Sequence, residues 1–171
     1  RTLTVAADAA SDRLREVVDR TVRASHLIEA ARLGKDFGFE RLKIYAMIGL
    51  PGETAQDLDE MIELCKNMVA KAAPRMQVSL AISPFVAKRN TPLDRAPFVG
   101  ISQADRRIAT LRGALAPQVD VKPASSRWAW VEYQLSQGTS ATGRLAYDAW
   151  MAGGRFSDYR RAFAINDTGD R

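Results

Sequence analysis

Cysteine and histidine are almost missing from this 171-residue sequence, which holds only Cys65 and His26. A lone cysteine closes no internal disulfide, and one residue of each type cannot build a zinc site. Long apolar runs are lacking too: no stretch approaches the ~18 residues of a membrane span. The first residues do not read as a charged segment followed by an apolar one, the pattern of a secretory signal. Also absent are internal repeats, low-complexity segments, a Walker loop, a dinucleotide fingerprint and a hydrolase triad. What is present is ordinary: 46% hydrophobic and 26% charged residues, against roughly 45–50% and about 25% in globular domains. The expectation is a water-soluble, cytoplasmic domain without a membrane partner.

Charge is unevenly placed. Residues 1–85 hold 12 basic and 12 acidic residues, whereas residues 86–171 hold 13 basic and 8 acidic, so the net +5 belongs to the second half. An uneven basic balance suits either a solvated surface or a phosphate-bearing partner. No basic run exceeds two residues and no aromatic-basic motif of an RNA-binding sheet is present.

The first half alternates strand and helix. Thr2 to Ala6 is β-rich, and Ser11 stands as an N-cap before the stripe Leu14, Val17, Val18. Leu27, Ile28, Ala31 and Phe37 mark a second helix that Gly38 closes. Leu42 to Ile48 is apolar on both faces, which predicts a parallel strand covered on both sides. Leu50-Pro51-Gly52-Glu53 has the residues of a type II turn, and Thr54 with Asp57 those of a capping box. Leu58, Met61, Ile62, Cys65, Met68 and Val69 then recur at helical spacing, before a strand over Met76 to Ile82. Alternation of this kind predicts a parallel α/β sheet with right-handed crossovers. From residue 86 to 100 the chain reads as an extended loop. Ser102 with Asp105 predicts the cap of another helix, and Val119 to Val121 suits a short strand. Apolar spacing over residues 128–163 predicts a helical C-terminal lobe.

Few side chains suggest reaction chemistry. His26 and Cys65 read as surface or packing residues, and the tryptophans at 128, 130 and 150 as packing. Turn chemistry at the carboxyl ends of the strands is more informative, because open α/β sheets and barrels bind ligands there. The segments at that edge are Ala7 to Ser11, Ile48 to Glu53, and Ile82 to Phe85. Gly49 admits two readings: its missing Cβ lets a flat ring approach the backbone, or it serves the turn alone.

In this order the segments resemble the second half of a radical S-adenosylmethionine enzyme. Lys43 to Thr54 is similar to the fifth strand of that superfamily and its Gly-Leu-Pro-Gly-Glu-Thr turn. Leu3 to Arg15 resembles the fourth strand of a subgroup often fused to a cobalamin-binding domain, and Ser83 to Pro92 its sixth-strand exit. Residues 130–133 and 149–156 resemble that subgroup's tail. The chain departs from the subgroup at Asp8, where Glu is usual, and at Ala87, Arg89 and Asn90, where Pro, Pro and His are usual. The Cys-x-x-x-Cys-x-x-Cys loop that holds a 4Fe–4S cluster in the superfamily is absent.

The resemblance implies a half TIM-type barrel over residues 1–100, with three parallel strands and flanking helices, and a helical lobe over residues 101–171. It implies an excised portion of an Fe–S oxidoreductase that is inactive alone. Its missing partner is the N-terminal half of the barrel, which brings the cluster and, in the subgroup, an upstream cobalamin domain. In the intact enzyme an electron from the cluster cleaves S-adenosylmethionine, and the adenosyl radical abstracts a substrate hydrogen. Gly49, Leu50 and Pro51 are then expected along the adenine, with Ser83 and Phe85 bordering it. Asp8, Ser11 or Arg13 would reach the ribose or the amino-acid portion. No residue of this half is expected to be catalytic. The open sheet edge predicts self-association. The substrate class stays open between a small molecule and RNA. Two other readings remain beside this one: a stand-alone α/β binding module and an RNA-interacting domain.

Overall fold

In the computed structural model, which describes residues 1–164, Leu3, Val5 and Ala7 alternate with the more exposed Thr2, Thr4 and Ala6 along strand β1, Thr2–Asp8. This period of two lays one row of side chains on a core. Ser11 Oγ accepts the Leu14 N–H at 3.2 Å and caps helix α1, Asp12–Val17. Helix α2 spans Ala24–Asp36, where His26 Nδ1 accepts the Arg23 N–H at 3.2 Å. The single histidine is therefore an exposed cap. Phe37, expected on the apolar side of α2, lies past its end and is 71% exposed. Strand β2 is Arg41–Ile48. Helix α3, Ala55–Ala72, begins with the expected Thr54–Asp57 capping box, and strand β3 is Gln77–Pro84.

Helix α4, Ile101–Leu115, starts differently from the sequence reading. Its N-cap is Gly100, at φ +90°, with no side-chain cap. Ser102 is already inside the helix, and Asp105 instead accepts a hydrogen bond from Ser126 Oγ at 2.6 Å. Strand β4, Val119–Pro123, comes next. Helices α5 (Ser126–Gln137), α6 (Ser140–Met151) and α7 (Phe156–Ala164) form the C-terminal lobe.

All strand pairs are parallel, and the order in space is the order in sequence, β1-β2-β3-β4. The expected three strands are thus four. Val119–Pro123 is too short for its pattern alone to decide its state, and its ladder with β3 decides it. Helix α4 and β4 also belong to the sheet layer rather than to a lobe beginning at residue 101. Ala104, Ile108, Leu111, Leu115 and Val119 share the core with Leu42, Ile44, Leu80 and Ile82. Residues 165–171 of the expected lobe lie outside the described residues.

The core lies on one side of the sheet. There Leu27 and Ala31 of α2, Met61, Cys65 and Met68 of α3, and Ile108 and Leu111 of α4 meet the buried rows of β2 and β3. Each fully buried Leu, Ile or Met contributes about 1.5–3 kcal/mol over exposure. The other side is barer. In β2, Leu42, Ile44, Ala46 and Ile48 are buried while Arg41, Lys43, Tyr45 and Met47 are not, and Tyr45 is 45% exposed. The two-sided burial expected for this strand does not occur. Tyr45 and Met47 read as core by composition, yet they lie on the bare face, where the Lys43 ammonium sits 4.5 Å from the Tyr45 ring centre. Among the described residues, no helix is long and apolar enough to cross a membrane.

Candidate functional site at the strand ends

The carboxyl ends of β1, β2 and β3 are joined by a network of ions and amides. At the end of β1 the register shifts between Ala6 and Asp8, and Asp8 takes φ +57°. Arg15, only 2% exposed, reaches back to hold this exit, donating to the Ala9 carbonyl at 2.8 Å. It also pairs with Asp12 at 2.7 Å. Asp8 turns to Arg20, at 3.1 Å.

Asp57, in the first turn of α3, gathers the next group. It accepts from Ser11 Oγ at 2.5 Å, from Arg13 Nη2 at 2.6 Å, and from the Thr54 N–H and hydroxyl at 2.8 and 2.7 Å. Burial opposes ionisation of Asp57, but these donors outweigh it and hold its carboxyl well below the usual range. Arg13 also donates to the Gly52 carbonyl at 2.9 Å. The structure thus brings Ser11 and Arg13 together with the turn and bonds both to Asp57, Ser11 buried and Arg13 still half exposed.

The turn itself closes as expected. The Glu53 N–H donates to the Leu50 carbonyl at 3.0 Å, and Gly52 takes φ +75°, the positive value a type II turn requires. Glu53 folds back so that its Oε2 accepts the Gly49 N–H at 2.9 Å. Its other oxygen lies 2.9 Å from Arg107 Nη1 of α4. Burial raises the Glu53 carboxyl above its ordinary value, opposed by the Gly49 amide and the Arg107 charge.

Gly49 does not offer a bare surface. At φ +79°, a Cβ built there would meet Val99 Cγ1 at 2.6 Å. The loop before α4 therefore already fills the space expected for an approaching ring. Leu50 is buried and Pro51 half-buried beside it. At the end of β3, Ser83 is exposed and is the register partner of Met47. Phe85 is half-buried against the core, and its N–H donates to the Ile48 carbonyl at 2.7 Å.

Sequence reasoning missed the centring role of Asp57, the buried clamp Arg15, and the Arg107 and Val99 contacts. Asp57 was legible only as a helix cap. Arg15 grips the exit of β1, and the Arg107 and Val99 contacts join α4 and its preceding loop to the turn; no local pattern announces either.

Cys65 is fully buried on α3, and burial pushes its thiol up to about 12. Among the described residues, no group of three or more His, Cys, Asp and Glu is placed to hold a metal. The acidic groups near the strand ends are hydrogen-bonded, ion-paired or buried.

No protein-family model matches the chain. Over 98 residues it is 37% identical to an uncharacterized protein of Methanocaldococcus jannaschii, a match covering 57% of this chain and 21% of that protein. The matched region therefore spans about a fifth of the archaeal protein's length.

Proposed function

We propose that this chain is one side of a radical S-adenosylmethionine barrel. In this reading it binds the adenosyl end of the ligand and borders the substrate. One observation supports it above the others: four parallel strands in sequential order carry their crossover helices on one side. A doubly wound sheet reverses its strand order and covers both faces with helices. A sheet wound in one direction leaves one face bare, and closure with further strands into a barrel buries it. Thr4, Ala6, Lys43, Tyr45, Ser79 and Ala81 occupy the bare side here, small and polar groups suited to lining a ligand-filled lumen.

The residues fit the two implied cofactors unequally. A 4Fe–4S cluster does not fit this chain, because its one thiol is buried within α3. Any cluster, like a cobalamin domain, would belong to other sequence of an intact enzyme. The adenosyl ligand fits, with a change from the sequence expectation. Ser11 and Arg13 are engaged by Asp57, and Val99 covers Gly49. The groups left to border a ring are Met47 and its register partner Ser83. When bound, S-adenosylmethionine supplies the reactive adenosyl group; these residues orient it and exclude water.

The test is an amide NMR titration of the 171-residue chain with S-adenosylmethionine. Shifts should concentrate at Ala6, Met47 and Ser83, and Ser83→Trp should abolish them while leaving the remaining spectrum intact. A response confined to the outer surfaces of α2–α4, or none at millimolar ligand, would overturn the reading.

A further inference from the structure

A cleft of about 930 Å³ opens between the start of α4 and helices α5 and α7, and no strand residue lines it. Three guanidinium groups do: Arg127 from α5, and Arg160 and Arg161 from α7. No carboxylate is among the described residues lining it. Arg161 has an acidic neighbour, Asp158, at 3.6 Å; Arg127 and Arg160 form no ion pair among the described residues. Cations gathered in one concavity raise the local concentration of anions. The planar guanidinium fork matches phosphate oxygens two at a time.

Two of the other lining residues, Trp130 and Phe156, are aromatic. Trp130 and Phe156 meet edge to face, with ring centres 5.9 Å apart and planes at 77°. The Arg127 guanidinium carbon lies 5.7 Å from the Phe156 ring centre. Gly100 at the rim has nothing within 4 Å of where a Cβ would stand, so the mouth is open there. A cavity of this size lies within the roughly 300–1,000 Å³ of small-molecule sites.

We propose that this cleft binds a nucleoside phosphate, its phosphates on Arg127, Arg160 and Arg161 and its base against Trp130 and Phe156. The ligand is either a free nucleotide or a nucleotide within single-stranded RNA, since both present the same chemistry. The site is independent of the barrel reading, because S-adenosylmethionine carries no phosphate, and either assignment can fail without the other.

The test titrates ADP, inorganic phosphate and a short oligouridylate into the 171-residue chain, by calorimetry and tryptophan fluorescence. ADP should bind at least about tenfold more tightly than phosphate, and more weakly as salt rises. The pair Arg160→Ala and Arg161→Ala should weaken ADP at least about tenfold with the melting temperature unchanged. If that pair lowers the melting temperature, Arg127→Ala on the neighbouring helix is read in its place. Tighter binding of the oligonucleotide, with the same arginine dependence, supports the site and identifies RNA as the source. ADP and oligonucleotide binding no tighter than phosphate, or insensitive to the arginine changes, overturns the proposal.

Discussion

Gly49 is where a single residue carries the most constraint. Two separate costs oppose any side chain there: a φ of +79°, and Val99 Cγ1 at 2.6 Å from the added Cβ. Left-handed strain in a non-glycine residue costs about 1–3 kcal/mol, and overpacking a filled site a similar amount. Gly49→Ala should therefore destabilise the chain by about 2–4 kcal/mol in urea unfolding. Adding Val99→Ala should recover only part of the steric cost, because the Val99 Cβ itself stands 2.9 Å from the added Cβ. Gly52→Ala should cost less, because the nearest atom to its Cβ position, an Arg13 nitrogen, is 4.0 Å away. Equal losses at the two glycines would show that Val99 does not press on Gly49. Two carboxyls nearby act in opposite directions with pH. The Asp57 carboxyl is held low, so the stability it contributes is fully present above the ordinary Asp value of about 3.9 and is lost as pH falls below it. Asp57→Asn should lower stability at neutral pH by about 1–3 kcal/mol and flatten the acid limb of the stability profile. The Glu53 carboxyl is raised; its folded form holds the proton more tightly, so stability falls as pH rises from its ordinary value through its folded one. Glu53→Gln should remove that decline, measured as urea midpoints across the acid range. A profile unchanged by both substitutions would contradict the assignments.

At the scale of elements, the caps and periodic stripes were readable, and the faces were not. Ser11, Thr54 and Gly38 sit where capping chemistry puts them, because a cap is a local match, of a side chain to the nearest free amides or of a glycine to a left-handed helix exit. The stripe from Leu58 to Met68 is buried as its spacing predicts. Strand β2 defeated the same reasoning, since Tyr45 and Met47 are apolar by type and bare by position. Only the winding direction of the whole sheet decides which face receives helices. Helix α4 shows the same limit: Ser102 and Asp105 have the right spacing for a cap, but the helix starts earlier, at Gly100. Of the strand-end residues, the turn geometry was legible, while the turning of Ser11 and Arg13 onto Asp57 required the fold. The two faces of β2 make a direct comparison. Ile44→Ala on the buried face should cost about 2–5 kcal/mol. Tyr45→Ser, its neighbour on the bare face, should stay within about 1 kcal/mol, because surface changes away from packing seldom exceed a fraction of that. Comparable losses in thermal or urea unfolding would mean that both faces are packed.

At the scale of the whole molecule, the sheet has a bare face and unpaired edges at once. Among the described residues, β1 pairs with β2 alone and β4 with β3 alone. An edge strand presents a row of amides and carbonyls that will pair with any other extended chain. Strand β1 is the more hazardous edge. It has seven residues, TLTVAAD, with no lysine, arginine or proline to discourage pairing, whereas β4 carries Lys122 and Pro123 within five. In the barrel reading, β1 meets a strand from the other half, and without that strand it should pair with another copy. The chain should therefore show a mass that rises with concentration in light scattering after size exclusion. Thr4→Lys places a charge mid-strand on the exposed row, where it leaves the buried row untouched and opposes close approach of a second β1. It should return the chain to a monomer with unchanged unfolding. If Thr4→Lys associates as the parent does, the contact lies elsewhere, and the exposed aromatic pair Tyr147 and Trp150 on α6 is where substitution should then act. If the parent is monomeric at every concentration, the β1 edge is not available for pairing, and a barrel that needs a strand there loses its simplest support.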